Sequence, residues 1–224
     1  MSDPKISLNK LGEYLAATPS RRRRIVQDQK DPKAFITTRY SDAREAIVEF
    51  LTSGMSDEDK LLSVAKKLRE DTSGSDFARQ DRVASAEAID NFLEASDQIE
   101  LEDLTVVPAD NTSAGSMHVA GVRVSVRPDA YLQDPITGDI IGAIKLHFPK
   151  TTPLNDTSSK YVASTLKVFL IEERGSKLVN HKKCYVVDVS TQTTTSAPKS
   201  HKKNMNDISA ACEEIRARWQ LGNG

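Results

Sequence analysis

The sequence contains few cysteines and aromatic residues, and it has no long apolar run. Its two cysteines, Cys184 and Cys212, lie far apart and without metal-ligand spacing, which argues against a disulfide scaffold or a zinc module. Aromatic residues make up 5% of the chain, too few for a platform on which successive bases stack. No apolar stretch approaches the roughly 20 residues that span a bilayer. Because the segment from Met1 to Lys5 also lacks an apolar signal, we expect a cytoplasmic protein without a membrane partner.

The chain also has no large excess of charge of either sign, because it contains 31 basic and 32 acidic residues. Any attraction to nucleic acid must therefore come from local patches. A glycine-rich phosphate loop and a Gly-x-Ser-x-Gly elbow are both absent, which argues against nucleotide-driven chemistry and against a serine hydrolase of that type. With 38% hydrophobic and 28% charged residues, the composition is that of an ordinary globular protein.

The N-terminal third of the chain has a helical pattern of apolar residues. Between Ser7 and Gly54 apolar side chains recur at spacings of three and four, which predicts two bracketing helices. A third helix is predicted at Asp57–Glu70, before a polar turn at Asp71–Ser75. We therefore predict an N-terminal helical arm, residues 1–75, and an α/β core, residues 76–224.

The core begins with a helix predicted at Asp81–Ser96, which carries a stripe of carboxylates at Glu87, Asp90 and Glu94. Strand patterns follow, and Asp-Pro and Thr-Gly-Asp turn residues join two of them into a predicted β-hairpin. The predicted elements after the helix are strands at Leu104–Val107, Ser116–Pro128 and Ile140–Phe148, a helix at Asp156–Glu173, a strand at Lys182–Val189, an exposed loop at Ser190–Lys203, and a last helix capped by Asn206 or Asp207.

Two charged residues of the hairpin are candidates for chemistry. Asp129 follows one strand, and Lys145 and His147 share one face of the other. If the pairing register brings the faces together, a divalent cation could bridge Asp129 and a phosphate oxygen while Lys145 orients water. The structural alternatives are a carboxylate that ends a strand, an edge-strand lysine that discourages aggregation, and a core histidine.

The residues of this hairpin resemble the core motif of PD-(D/E)xK nucleases. Val126-Arg127-Pro128-Asp129, a turn, and Gly142-Ala143-Ile144-Lys145-Leu146 carry the resemblance. The following helix, with Lys160, Tyr161 and Lys167, is similar to that of the RecB and phage exonuclease branch. The resemblance implies a restriction-endonuclease-like core, in which helices flank a mixed central β-sheet. It also implies a Mg²⁺- or Mn²⁺-dependent DNA nuclease of phage defence or DNA repair, with Asp129 and Lys145 as catalytic residues.

One position departs from the family pattern. Ala143 stands where the family has an acidic residue two positions before the lysine, and alanine cannot bind a metal. Since a glutamate from the first core helix commonly completes the site in the family, Glu87 is expected to join Asp129 as metal ligand and catalytic residue. The alternative is a fold that has kept nucleic-acid binding and lost hydrolysis, as a module of a larger assembly.

Several basic residues are candidates for contacts with DNA, which is the expected partner. Because Asp28, Asp31 and Asp42 lie among those near the N-terminus, a solvated helix face is the alternative. Two further possibilities stay open, namely a docking arm at Ser7–Gly54 for another protein chain and a homo-oligomer. The predicted DNA-binding residues are Arg21, Arg22, Arg23, Arg24, Arg127, Lys150 and Lys160, and further candidates are Lys30, Lys33, Arg39 and the Lys199–Lys203 cluster.

Overall fold

The computed structural model describes residues 3–32, 39–109 and 115–221. The first part of the chain is mostly helical, as predicted, and the helix predicted at Asp57–Glu70 is confirmed with Asp57 as its N-cap. Its elements are β1 (Lys5–Ser7), α1 (Leu8–Ala16), α2 (Pro19–Lys30), α3 (Ser41–Thr52), α4 (Glu58–Glu70) and α5 (Asp76–Ser96).

The rest of the chain alternates between strands and helices. A short 3-10 helix, His181–Lys183, precedes the seventh strand. The other elements are β2 (Thr105–Pro108), β3 (Gly115–Val119), β4 (Val122–Val126), β5 (Ala130–Gln133), β6 (Ile140–His147), α6 (Asp156–Glu172), β7 (Cys184–Asp188), β8 (Thr193–Ser196) and α7 (Lys202–Leu221).

The described strands form two sheets. The larger one has the order β2-β5-β6-β7-β8, and the smaller one has the order β1-β4-β3. In the larger sheet β5 and β6 pair antiparallel, whereas β6 and β7 pair parallel and are connected through α6. Helices pack on these mixed sheets, so the predicted α/β class with a flanked mixed sheet is confirmed.

The strand predicted at Ser116–Pro128 is wrong as a single element. Ala120 and Gly121 both have positive φ, 47° and 80°, and this tight turn folds the segment into the β3–β4 hairpin. β4 then pairs with β1, so the partner of β6 is the separate strand β5. The predicted turn before β6 is confirmed, with Gly138 at φ 72°.

Two predictions near the C-terminus are also wrong. The loop predicted at Ser190–Lys203 contains β8, whose threonines pair with β7 at the edge of the larger sheet. The last helix begins at Lys202 rather than after a cap at Asn206 or Asp207. Threonine is polar but β-branched, so a strand of threonines at a sheet edge is easily mistaken for a loop.

Two hydrophobic clusters cover the two faces of the larger sheet. One joins α1, α6 and α7 to the face that holds Ala143, and the other joins α3, α4 and α5 to the face that holds Ile144. Residues on both sides of the predicted boundary at residue 75 share each cluster, and that boundary falls between α4 and α5. The boundary therefore stays a prediction, with continuous packing across it. Within the described ranges, no helix combines the length and apolarity needed to cross a membrane.

Candidate nucleic-acid interface

The register of β5 and β6 places Asp129 opposite Lys145. Ala130 pairs with Ile144, and one step before it the Asp129 amide donates to the Ile144 carbonyl at 2.8 Å. The Lys145 Nζ donates to Asp129 Oδ2 at 2.8 Å, and the Leu146 amide donates to the same oxygen at 2.7 Å. The two side chains therefore share one face at the start of the hairpin.

This pair is buried. The Asp129 side chain is 4% exposed and that of Lys145 is 10% exposed. Arg44 of α3 forms an ion pair with the other carboxylate oxygen, Oδ1, while its guanidinium lies 4.8 Å from the centroid of the Phe148 ring. Burial, followed by the positive charges of Arg44 and Arg127, lowers the pKa of Lys145 well below the usual value for lysine. Asp129 thus holds two cations that would otherwise repel each other.

A cleft of about 700 Å³ opens over this pair, and we name it the Asp129 cleft. Three cations and two carboxylates line it, and the exposed Arg127 stands at its side. Arg127 and Lys145 also line an adjoining pocket at the N-terminal end of α1. The residues of the Asp129 cleft are Ser41, Arg44, Glu45, Val48, Ala109, Arg127, Pro128, Asp129 and Lys145.

Glu87 lies outside the Asp129 cleft. Its side chain is 53% exposed, and it forms an ion pair with Lys150 at 2.5 Å. Lys150 lines a neighbouring pocket that shares Arg44 with the cleft. The structure therefore pairs two predicted site residues, Glu87 and Lys150, with each other.

The other carboxylates of the predicted stripe do not join Asp129 in the cleft either. Asp90 forms an ion pair with Arg69 of α4, and Glu94 is exposed. The stripe on α5 therefore has the character of a solvated helix face, which charge patterns on amphipathic helices commonly indicate.

The donor set at Asp129 does not offer Mg²⁺ a preformed site. Mg²⁺ is held by oxygen ligands in octahedral geometry, with one or two carboxylates among them. Both oxygens of Asp129 are already in contact with Lys145, Leu146 and Arg44, and Ala143 is fully buried in the core. Within the part of the chain that the structure describes, no three His, Cys, Asp or Glu residues form a metal cluster. Metal binding by Glu87 and Asp129 stays a prediction.

The four consecutive arginines of α2 do not act as one surface. The Arg21 Nε donates to Glu13 at 2.8 Å. Arg22 donates to main-chain oxygens of α1, among them that of Tyr14 at 3.0 Å, and thereby caps carbonyl groups at the C-terminal end of that helix. Arg23 and Arg24 are exposed. Two of the four predicted contacts therefore have roles within the chain.

The remaining predicted contacts are scattered. Lys160 forms an ion pair with Asp156 one helical turn earlier, at 2.7 Å. Arg127 is the one predicted DNA-binding residue that lines the Asp129 cleft. Lys33 lies outside the described residues.

His147 belongs to the core. It is 2% exposed, its Nε2 lies 2.8 Å from the Thr152 carbonyl oxygen, and burial lowers its pKa. A neutral imidazole that donates to a carbonyl is consistent with the structural alternative given for this residue.

Arg44 and Glu45 are site residues that the sequence did not point to. Both lie on α3, which the sequence assigned to the arm, and the packing of α3 against the larger sheet brings them to the Asp129 cleft, where Arg44 contacts Asp129. The only local signal is that Arg44 directly follows Ala43, a buried residue of the apolar face of α3. Such a position is common on amphipathic helices and predicts no partner by itself.

Comparisons with known proteins add no assignment to this geometry. No protein-family model matches the chain, and no curated protein matches it either.

Proposed function

We propose that the protein binds the phosphate backbone of nucleic acid in the Asp129 cleft, as a nuclease-like module without hydrolytic activity. One observation carries the proposal: Arg44, Lys145 and Arg127 converge on a cleft whose central carboxylate is already in contact with two of them. The cleft therefore presents fixed cations without needing a metal to neutralise Asp129.

Preorganisation supports this function. Because Asp129 and the stacking on Phe148 hold Arg44 in place, less side-chain entropy is lost when a phosphate binds there. Arg127 is exposed and has no ion pair with any residue that the structure describes. Its guanidinium can donate two parallel hydrogen bonds to a phosphate, and each neutralised phosphate releases counterions.

The cleft lacks the second acidic residue that the nuclease motif places two positions before the lysine. Phosphodiester hydrolysis requires that developing negative charge is neutralised and that water is positioned. Ala143 provides no carboxylate beside Asp129, and Glu87 is held by Lys150. Binding without cleavage is the activity that this set of residues supports best.

A second candidate function is metal-dependent hydrolysis, which is favoured by the position of Glu45 in the cleft. This exposed carboxylate lines the same cleft as Asp129 and Lys145. In that case Glu45 takes the part that the sequence assigned to Glu87, and cleavage of DNA depends on Mg²⁺ or Mn²⁺.

The proposal is tested by fluorescence anisotropy with a short labelled DNA at low salt. Arg127→Glu is expected to weaken binding about tenfold or more and to reduce the dependence of log K on log salt by about one. Lys66→Glu is the matched control, because Lys66 is 75% exposed on α4 and does not line the cleft. Equal losses of DNA affinity in both variants would contradict binding in the Asp129 cleft.

The two candidates are separated by incubating labelled DNA with the protein and Mg²⁺ or Mn²⁺. Intact DNA is the expected result. Cleavage that is lost in both Glu45→Gln and Lys145→Met would establish the second candidate, whereas cleavage retained in both would indicate a contaminating nuclease.

A further inference from the structure

A second pocket of about 510 Å³ adjoins the Asp129 cleft, and we name it the Tyr40 pocket. Arg44 lines both spaces, so a chain bound in one can continue into the other. The volume falls within the range of small-ligand pockets, about 300–1,000 Å³. The lining residues that matter here are Arg39, Tyr40, Arg44, Phe148 and Lys150.

Two aromatic rings form one wall of the Tyr40 pocket. The rings of Tyr40 and Phe148 are stacked, with centroids 5.3 Å apart and planes inclined by 15°. Phe148 is buried at 4% exposure, whereas Tyr40 is partly buried. The wall therefore contains a partly buried ring, Tyr40, that is packed against a buried one, Phe148.

The backbone of Tyr40 is held in an unusual conformation. Its φ of 62° and ψ of 23° lie in the left-handed region, which is unfavourable for a residue with a bulky side chain. The Tyr40 amide donates to Asp81 Oδ1 at 3.3 Å, and the ring stacks on Phe148. Such strain persists only where the surroundings hold it, and it is common at ligand sites.

Three cations, Arg39, Arg44 and Lys150, line the Tyr40 pocket, and among the described residues no carboxylate lines it. Arg39 lies 3.7 Å from Asp81, and Lys150 pairs with Glu87. Because the pair of Lys150 with Glu87 is exposed and contributes little, a phosphate can replace Glu87 there at small cost.

From these features we propose that the Tyr40 pocket binds one unpaired base of a single-stranded nucleic acid, stacked on Tyr40, while the Asp129 cleft holds the adjoining phosphates. This inference rests on the proposed function. An aromatic wall beside cations is what an unpaired nucleotide requires, whereas the bases of a duplex are already stacked on each other. One ring pair provides one base position, so the low aromatic content of the chain does not conflict with it.

The first test compares three ligands on the wild-type protein by anisotropy at one salt concentration. They are a short single-stranded oligonucleotide, an abasic strand of the same length and charge, and the corresponding duplex. The intact single strand is expected to bind about tenfold more tightly than the abasic strand, since stacking of one base provides a gain of that order. Equal affinities for all three overturn the Tyr40 inference and leave the proposed phosphate binding in place. Absence of binding by all three overturns both.

The second test changes the ring. Tyr40→Gly relieves the left-handed backbone while removing the ring, and Tyr40→Phe keeps the ring. The glycine variant is expected to lose about tenfold in affinity for the intact single strand and nothing for the abasic one, and the phenylalanine variant is expected to bind as the wild type does. Thermal unfolding checks that both variants are folded. If the glycine variant does not fold, the fluorescence of a 2-aminopurine base in a strand bound to the wild-type protein provides the test instead. Quenching of this fluorescence is expected from stacking on Tyr40, and absence of quenching overturns the inference.

Discussion

Asp129 and Glu87 are two carboxylates that the sequence assigned to one metal site, and the structure places them in opposite environments. The Asp129 side chain is 4% exposed and is in contact with Lys145, Arg44 and the Leu146 amide. The Glu87 side chain is 53% exposed and pairs with Lys150. The first carboxylate is part of the folded core, whereas the second belongs to the surface.

The comparison teaches that a motif and a helix stripe are unequal signals. Asp129 directly precedes β5 and Lys145 lies in β6, the next strand along the chain, so the turn between the two strands limits the registers that they can adopt. Glu87 lies on α5, and its distance from Asp129 depends on how a whole helix packs. Local pairing is therefore more predictable than the position of a helical side chain.

The largest effect is expected from Asp129→Ala. Removing one partner of a buried ion pair costs about 3–5 kcal/mol, because the Lys145 ammonium and the Leu146 amide lose their acceptor. Urea unfolding measures this loss. A cost below about 1 kcal/mol, the range of exposed pairs, would show that Asp129 and Glu87 do not differ in this way.

A double variant sharpens the same point. Adding Lys145→Met to Asp129→Ala is expected to recover about 1 kcal/mol or more, since the buried ammonium is replaced by an apolar chain of similar length. The free energies of unfolding of the two single variants and the double variant give the coupling energy. Additive losses would contradict direct coupling between Asp129 and Lys145.

Stability is expected to depend on pH through Lys145. A lysine with a lowered pKa binds fewer protons in the folded protein than in the unfolded chain, between that lowered value and its ordinary value of 10.5. The free energy of unfolding contributed by this group therefore rises with pH across that window. Lys145→Met should flatten the rise, and Lys66→Met, at an exposed lysine, should leave it unchanged.

The smallest effect is expected from Glu87→Gln. Loss of its exposed pair with Lys150 should cost no more than about 1 kcal/mol in urea unfolding. Millimolar Mg²⁺ should leave the Tm of the wild type and of this variant unchanged. A rise in Tm that is present in the wild type and lost in both Glu87→Gln and Asp129→Ala would instead support the metal site predicted from the sequence.

Features that depend on short stretches of chain were predictable. The turn before β6, the helix capped by Asp57 and the α/β class follow from turn residues, caps and apolar periods that the sequence displays directly. The opposition of Asp129 and Lys145 was predictable up to the choice of register. A strand of threonines at an edge and a tight turn at Ala120-Gly121 were missed, because their signals are weak.

The sequence by itself determined the turn before β6 and the alternation that buries one face of β4, since both arise from neighbouring residues. Only the tertiary structure decided that Arg44 contacts Asp129 and that Glu87 contacts Lys150. It also decided that Arg21 and Arg22 donate hydrogen bonds to acceptors in or next to α1. These contacts join segments whose approach is set by the packing of whole helices against the sheets. The chemistry of a side chain indicates the class of partner that it can contact, but that packing determines which partner it contacts.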